Sequence, residues 1–370
     1  MINVFEPYIT FKDKIKVLKT INSKNISGSS PVIKQFESEL SVCFNREYSS
    51  AVSNGSVALE VALRIANLKK GDEVILPSFT IISCLAAVVR SGATPVFCDV
   101  DIASWNMSLD NVKKAFSNKT KAVLMVHTYG LTAEAEEIED FCKSNNLFLI
   151  EDAAESHGQM YGKRKCGSFG DVSTFSFYAN KHITTGEGGA LLTDKSELDF
   201  QIKQIRNLDF NNKQRFKHEN LYWNYRLGGL QASLGISQLQ NIENVIKNKK
   251  KQAKVYINLI NEFNVDVDLP LVRTEKSENN FWVFGIVLKK TGIRNEIIEF
   301  MYKHGIETRP FFWPLHLQQI KEFNQSENTL NLKNSETLGM NGLYLPLGPH
   351  INIKKQKFIV SKLKEGISKN

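Results

Sequence analysis

The sequence predicts an α/β fold: a mostly parallel central sheet in a large domain, followed by a smaller α+β C-terminal domain. Two observations predict it. Through the middle of the chain apolar strands alternate with amphipathic helices, the pattern of a parallel sheet covered on both faces. After about Leu239 the texture changes to a long lysine-rich helix, then a strand and a helix. No repeat or low-complexity linker interrupts the 370 residues, which is chain enough for one large and one smaller domain. We expect a large domain over 1–240 and a small one over 241–370, with residues 1–30 packing near the functional site.

The elements follow in order. Ser56 to Ala66 reads as a helix, and Glu73 to Leu76 as a strand ending at Pro77. Cys84 to Val89 belongs to a helix, and Pro95 to Val100 is a strand. Val123 to Val126 is a strand, and Ala133 to Asn145 a helix. Leu147 to Ile150 is a strand that ends at Glu151-Asp152, and Val172 to Phe177 is a strand followed by a turn. In the second domain Leu239 to Phe263 is the long helix, Phe281 to Leu288 a strand and Ile293 to His304 a helix.

Bulk properties exclude several classes. The 42% hydrophobic content holds no run near the roughly 20 residues of a membrane helix. Met1 to Pro7 lacks the basic end and apolar stretch of a secretory signal, so the expected location is the cytoplasm. The five cysteines are scattered, without a CxxC pair, which argues against a disulfide framework or a zinc site. The net charge of +8 suits an anionic substrate, or reflects a general richness in lysine. Basic residues are not interleaved with aromatics, which disfavours nucleic acid. The absence of GxGxxG between an early strand and helix argues against a dinucleotide-dependent dehydrogenase.

Three motifs carry chemistry. Ser53-Asn54-Gly55-Ser56 opens a helix; such a turn is either a phosphate seat at the positive end of the helix dipole or an ordinary N-cap. Asp152 and Glu155 follow a parallel strand, and ligands bind beyond the carboxyl ends of such strands. Asp152 there either holds a positive charge in the site, or is a helix N-cap or a structural ion pair. Lys181 lies just past an apolar strand, before the glycine-rich Thr185-Gly186-Glu187-Gly188-Gly189. Lys181 is either one surface lysine among many or a lysine taken out of water, which loses its proton more readily and can form a Schiff base with an aldehyde.

The ordered set SNGS, EDAA and FSFYANK…GEGG, with Trp223-Asn224-Tyr225-Arg226, Thr308 to His316 and Leu345 to Pro349, resembles the DegT-type nucleotide-sugar aminotransferases. The resemblance implies the pyridoxal-phosphate fold type I, like aspartate aminotransferase, and runs through nearly the whole chain. It makes Lys181 the residue that holds pyridoxal 5'-phosphate and shuttles a proton, and pairs Asp152 with the ring nitrogen. It places Gly55, Ser56 and Ser176 around the phosphate, and Glu155 near the ring hydroxyl. It brings Asn224 to the phosphate of a neighbouring subunit, which implies a homodimer with active sites at its interface. It sets Ser27, Arg309 and His316 on the substrate side. It implies no metal, and no membrane or nucleic-acid partner.

Ile81 departs from the pattern, since the family commonly stacks an aromatic on the cofactor ring at this position. Family members with histidine in place of the lysine act as sugar dehydratases. Here Lys181 is present and His182 merely follows it, so the resemblance implies amino transfer. The implied reaction takes the amino group of L-glutamate to a 4-keto-6-deoxy sugar on a nucleotide, GDP by the arginine-to-histidine segment, for bacterial surface polysaccharide. Rivals are a UDP- or dTDP-linked keto sugar aminated at C3 or C4, and a non-catalytic regulator that keeps the fold.

Overall fold

The structure, a computed structural model, describes residues 1–210, 216–321 and 331–369. Its elements begin with helices α1 (Phe11–Asn22) and α2 (Pro31–Phe44), strand β1 (Tyr48–Val52) and helix α3 (Gly55–Ile65). Then come β2 (Glu73–Pro77), α4 (Ile82–Ser91), β3 (Thr94–Cys98), α5 (Leu109–Ala115), β4 (Thr120–Val126), α6 (Ala135–Ser144) and β5 (Phe148–Asp152). A small hairpin, β6 (Met160–Tyr161) and β7 (Arg164–Lys165), precedes β8 (Val172–Ser176), β9 (Gly189–Thr193), α7 (Ser196–Ile205) and α8 (Gly229–Leu239). The C-terminal part holds α9 (Ile242–Glu262), β10 (Val267–Asp268), β11 (Phe284–Leu288), α10 (Arg294–Lys303), β12 (Arg309–Pro310), α11 (Lys333–Asn341), β13 (Gly342–Leu345) and α12 (Ile353–Lys369).

The large sheet has the order β1-β9-β8-β5-β4-β2-β3. Neighbours from β8 through β3 are parallel, and β9 runs antiparallel to both β1 and β8. Helices cover both faces, so the inner strands are apolar without alternation: β9 is buried at every residue. The carboxyl ends of β2, β4, β5 and β8 therefore lie along one edge. Pro77, Val126, Asp152 and Ser176 are their last residues.

The second sheet, β10-β11-β13-β12, is antiparallel. Its core joins Phe284, Ile286, Leu343 and Leu345 to Tyr256 of α9, Ile297 of α10 and Ile359, Val360 and Leu363 of α12. The chain start packs on this unit: Ile2 bridges Ile306, and the Val4 carbonyl accepts from the Leu347 N–H at 3.0 Å. An aromatic cluster ties the two sheets together. Tyr129 lies 4.8 Å and Trp105 5.1 Å from the ring of Phe311, measured between centroids.

The structure corrects several expected elements. Leu239 closes α8, and the lysine-rich helix begins only at Ile242, after a break at Gln240 and Asn241. The strand expected over Phe281 to Leu288 begins at Phe284, because Phe281 has a left-handed φ of 51° that turns the chain out of the sheet. Apolar residues there serve packing between the units rather than strand pairing. The helix expected from Ala133 starts at Ala135, and the strand expected to reach Val100 ends at Cys98. Helices α1 and α2 and strands β1 and β9 lie where no element was expected. Cys84, Cys98, Cys142 and Cys166 are buried free thiols and Cys43 is half-buried.

One buried carboxylate braces the edge from behind. Glu151 accepts from the Nε2 of His127 at 2.9 Å and from the backbone N–H groups of Gly167 at 2.6 Å and Phe169 at 2.8 Å. The N–H of Ala133 donates to Nδ1 of His127 at 3.1 Å, which leaves the ring proton on Nε2. Glu151→Ala strands these donors in the interior, and we expect a loss of about 3–5 kcal/mol. Thermal or denaturant unfolding measures it; an unchanged midpoint would show that Glu151 does not brace the sheet.

Candidate active site

Asp152 ends β5 and its side chain is buried. Its Oδ1 accepts from the Ala154 N–H at 3.0 Å, and its Oδ2 faces the Cys84 thiol at 3.5 Å. Burial raises the Asp152 pKa, against the Ala154 N–H and the charge of Lys181. Burial and the Asp152 charge push the Cys84 thiol well above its ordinary value, so the thiol keeps its proton and donates it. Asp152 is left with acceptor capacity, facing a cavity.

Beyond the end of β8 the chain turns, with the Lys181 N–H donating to the Tyr178 carbonyl at 3.0 Å. Gly186, at a φ of 82°, makes the return bend to β9. Lys181 Nζ lies 3.2 Å from Oε1 of Glu155, with 9% and 8% of the two side chains exposed. The Tyr129 N–H holds the other oxygen of Glu155 at 3.0 Å. Burial raises the Glu155 pKa, opposed by Lys181. The Trp282 ring covers the other side of Nζ, its centroid 3.7 Å away.

His182 points elsewhere. It is buried against the Asn280 carbonyl at 3.3 Å, and burial together with Lys249 holds its imidazole well below the ordinary value.

The opening of α3 forms the third corner. Asn54 caps the helix, its side chain accepting from the Val57 N–H at 2.9 Å. A Cβ on Gly55 would meet Cβ of Ser176 at 2.7 Å, so only glycine lets this helix start approach β8. Ser56 pairs with Ser83 at 2.8 Å. The Ser176 hydroxyl meets only the Tyr178 N–H, at 3.4 Å, among the bonds described. The first turn of α4, after Ile81, lines the same space. Helix starts of this kind favour an anion.

These groups surround a cavity of about 540 Å³. The structure brings Lys181, Asp152, Glu155, Gly55, Ser56, Ile81, Ser176 and Arg309 to its walls. Arg309 lies at 41% exposure, 3.3 Å from Glu307, with its guanidinium 5.0 Å from the Phe5 ring centroid. Three expected residues lie outside. His316 is held by Ser78 Oγ at 2.6 Å and Glu336 at 3.1 Å. Ser27 is exposed and pairs with Ser29 at 3.0 Å. Asn224 is exposed and accepts from the Arg226 N–H at 3.3 Å.

Sequence reasoning missed Thr80, Tyr178, Glu187, Trp282, Phe312 and Tyr344, which also line the cavity. Tyr178, Glu187 and Phe312 lay inside motifs already singled out. Trp282 was hidden in an apolar run read as a strand.

A metal fits less well. His127, Glu151 and Cys166 cluster within 4.8 Å among the described residues, but backbone N–H groups already occupy the acceptor atoms of His127 and Glu151. By contrast, the cavity offers an acid with free acceptor capacity, a primary amine and a glycine-opened helix start with an underused hydroxyl. That set fits the ring nitrogen, aldehyde and phosphate of pyridoxal phosphate.

Comparison with known proteins agrees. The family model of the DegT/DnrJ/EryC1/StrS aminotransferases matches residues 8–364. The chain is 33% identical over 368 residues to GDP-perosamine synthase of Escherichia coli O157:H7, covering 98% of each. It is 32% identical over 369 residues to GDP-perosamine synthase of Vibrio cholerae, again covering 98% of each. Its fold superposes at a TM-score of 0.92, with 25% identity and 100% of both chains covered, on Helicobacter pylori PseC, an aminotransferase involved in the biosynthesis of pseudoaminic acid. The chain therefore belongs to the DegT/DnrJ/EryC1/StrS aminotransferase family, and is a pyridoxal-phosphate-dependent nucleotide-sugar aminotransferase of fold type I.

Proposed function

We propose that the protein transfers the amino group of L-glutamate to the C4 keto group of GDP-4-keto-6-deoxymannose, giving GDP-perosamine. The observation that carries amino transfer is the convergence of Lys181, Asp152 and the α3 start on one cavity. The GDP sugar is favoured by the similarity to two GDP-perosamine synthases along the full chain.

Bound pyridoxal phosphate supplies an aldehyde that accepts amines and a ring that draws electrons from the adjacent carbon. The chain's own groups do the rest. Lys181 would hold the cofactor through its amine and, when an incoming amino group takes its place, would move a proton at Nζ. Asp152 accepts the ring N–H and keeps the ring charged. Gly55, Ser56 and Ser176 would hold the phosphate, and Ile81 would offer the ring an aliphatic side chain. Glu155 orients Lys181 and the ring hydroxyl. Arg309 receives an anionic group of the substrate at the cavity mouth. His316 positions the 309–317 segment through Ser78 and Glu336 rather than touching the sugar. Ser27 acts on the substrate side, and Asn224 reaches the phosphate of a second copy, beside Leu221 and Trp223, which stand 96% and 69% exposed.

Four measurements test this. Incubation with glutamate and GDP-, UDP- or dTDP-linked 4-keto-6-deoxy sugars, read by mass spectrometry, should convert the GDP sugar. Conversion of the others alone would overturn GDP, and no conversion would favour a regulator that keeps the fold. Asp152→Ala should weaken cofactor binding by about 3–5 kcal/mol, as loss of a buried ion-pair partner does; equilibrium dialysis against free cofactor checks it, and wild-type affinity removes Asp152 from the site. His316→Ala should lower stability by about 1–3 kcal/mol while the Michaelis constant for the keto sugar stays near wild type; a large rise in that constant would put His316 on the substrate. Finally, Lys181→Ala and Asn224→Ala chains, each inactive alone, should regain activity when mixed, since one hybrid site has both residues intact. Persistent inactivity after verified subunit exchange would place Asn224 outside the partner's site.

A further inference from the structure

We propose that Trp282 is a positioning residue for Lys181: its indole face holds the free, charged amine against Glu155 on the cavity wall. The inference rests on the reading of Lys181 as the lysine that binds the cofactor.

Lys181 has two neighbours of opposite kind. One is the Glu155 carboxylate at 3.2 Å, and the other is the Trp282 ring, 3.7 Å from Nζ to centroid. A ring face attracts a compact ammonium more strongly than the same nitrogen once it is bonded, where any charge is spread over a conjugated system. Trp282 therefore favours the state in which the lysine is released and carries its proton. That is the state in which a transferring lysine must stay close to the reacting carbon. The bias expected from such a contact in a desolvated site is about 2- to 30-fold.

The ring can act this way because it is fixed independently of Lys181. Its Nε1–H donates to the Asn180 carbonyl at 3.0 Å, and its own carbonyl accepts from Lys249 Nζ at 2.8 Å. The Trp282 nitrogen packs so closely on Gly130 that a Cβ there would come within 2.5 Å. The preceding Phe281 stands at a φ of 51°, its N–H donating to Asn279 Oδ1 at 2.7 Å. Trp282 is 5% exposed. The ring packs on Tyr129, 5.8 Å between centroids, and also carries Nζ over its face.

The test uses cofactor-loaded enzyme, wild type and the Trp282→Phe and Trp282→Met variants. Borohydride first establishes that the cofactor is trapped on Lys181. Each enzyme is then treated with glutamate, which frees Lys181, and exposed briefly to an amine-acylating reagent. Peptide mass spectrometry compares the label on Lys181 with that on exposed Lys12. Methionine fills the space without a ring face, so labelling of Lys181 should rise about 3- to 10-fold, while phenylalanine should stay within about twofold of wild type. The turnover number of the Trp282→Met variant should fall by a similar factor, with the Michaelis constant for the keto sugar little changed. Unchanged labelling in the Trp282→Met variant, or equal labelling in both variants, overturns the role of Trp282. Should the methionine variant fail to fold, Trp282→Leu is measured against the same two outcomes. Absence of trapping on Lys181 in the wild type overturns the reading of Lys181 and this inference with it.

Discussion

A lysine amine held out of water must be met by fixed partners, and much of the architecture around the cavity serves that requirement. Glu155 is one such partner: one carboxylate oxygen faces Nζ and the other is held by the Tyr129 N–H. Tyr129 in turn sits at a left-handed φ of 61°, its ring packed on Phe311, Trp282 and Phe79. Those rings come from both sheets. Fixing one ammonium therefore recruits the joint between the two units, and loosening that joint would loosen the amine.

The parallel sheet explains why residues so far apart in sequence meet. Asp152 ends β5 and Ser176 ends β8, adjacent strands running the same way, so both side chains reach the same edge. The antiparallel β9 returns the chain after the glycine turn and places Gly189 within van der Waals contact of Asn54, where a Cβ would collide at 2.4 Å. The α3 start is thus clamped between Ser176 and Gly189. Two carboxylates from one turn are given different tasks by their partners. Asp152 meets a thiol and one N–H, neither of which neutralises it. Glu155 is already committed to a cation.

Much of this was legible in the sequence because its causes are local. A strand that ends in an acid, a glycine that opens a helix and a lysine before a glycine turn are each written within a few residues, and Asp152, Gly55 and Lys181 all line the cavity. What was not legible depends on contacts distant in sequence. Trp282 lies 101 residues beyond Lys181 and was read as strand, since its apolar neighbours give no hint that Phe281 breaks the pairing. His316 was expected either on the substrate side, from the resemblance, or as a structural histidine; its partner Ser78 lies 238 residues away and could not be read from the motif. The lysine-rich helix was drawn too long at its start because hydrophobic periodicity runs through Gln240 and Asn241, where the backbone nevertheless turns.

The mouth of the cavity is built differently from its floor. Arg309 pairs with Glu307 in partial exposure at 3.3 Å and rests over Phe5. Such a pair contributes only about 0–1 kcal/mol, and solvent salt weakens it further. The buried groups below lose far more if a partner is withdrawn. This contrast suits a site that must accept two unlike molecules in turn through one opening. A small amino acid and a bulky charged sugar cannot both match a rigid rim. Arg309, which also meets the Tyr344 hydroxyl, keeps a partly exposed partner that solvent or an anion can replace at little cost, while Lys181, Asp152 and the α3 start below are held by buried contacts.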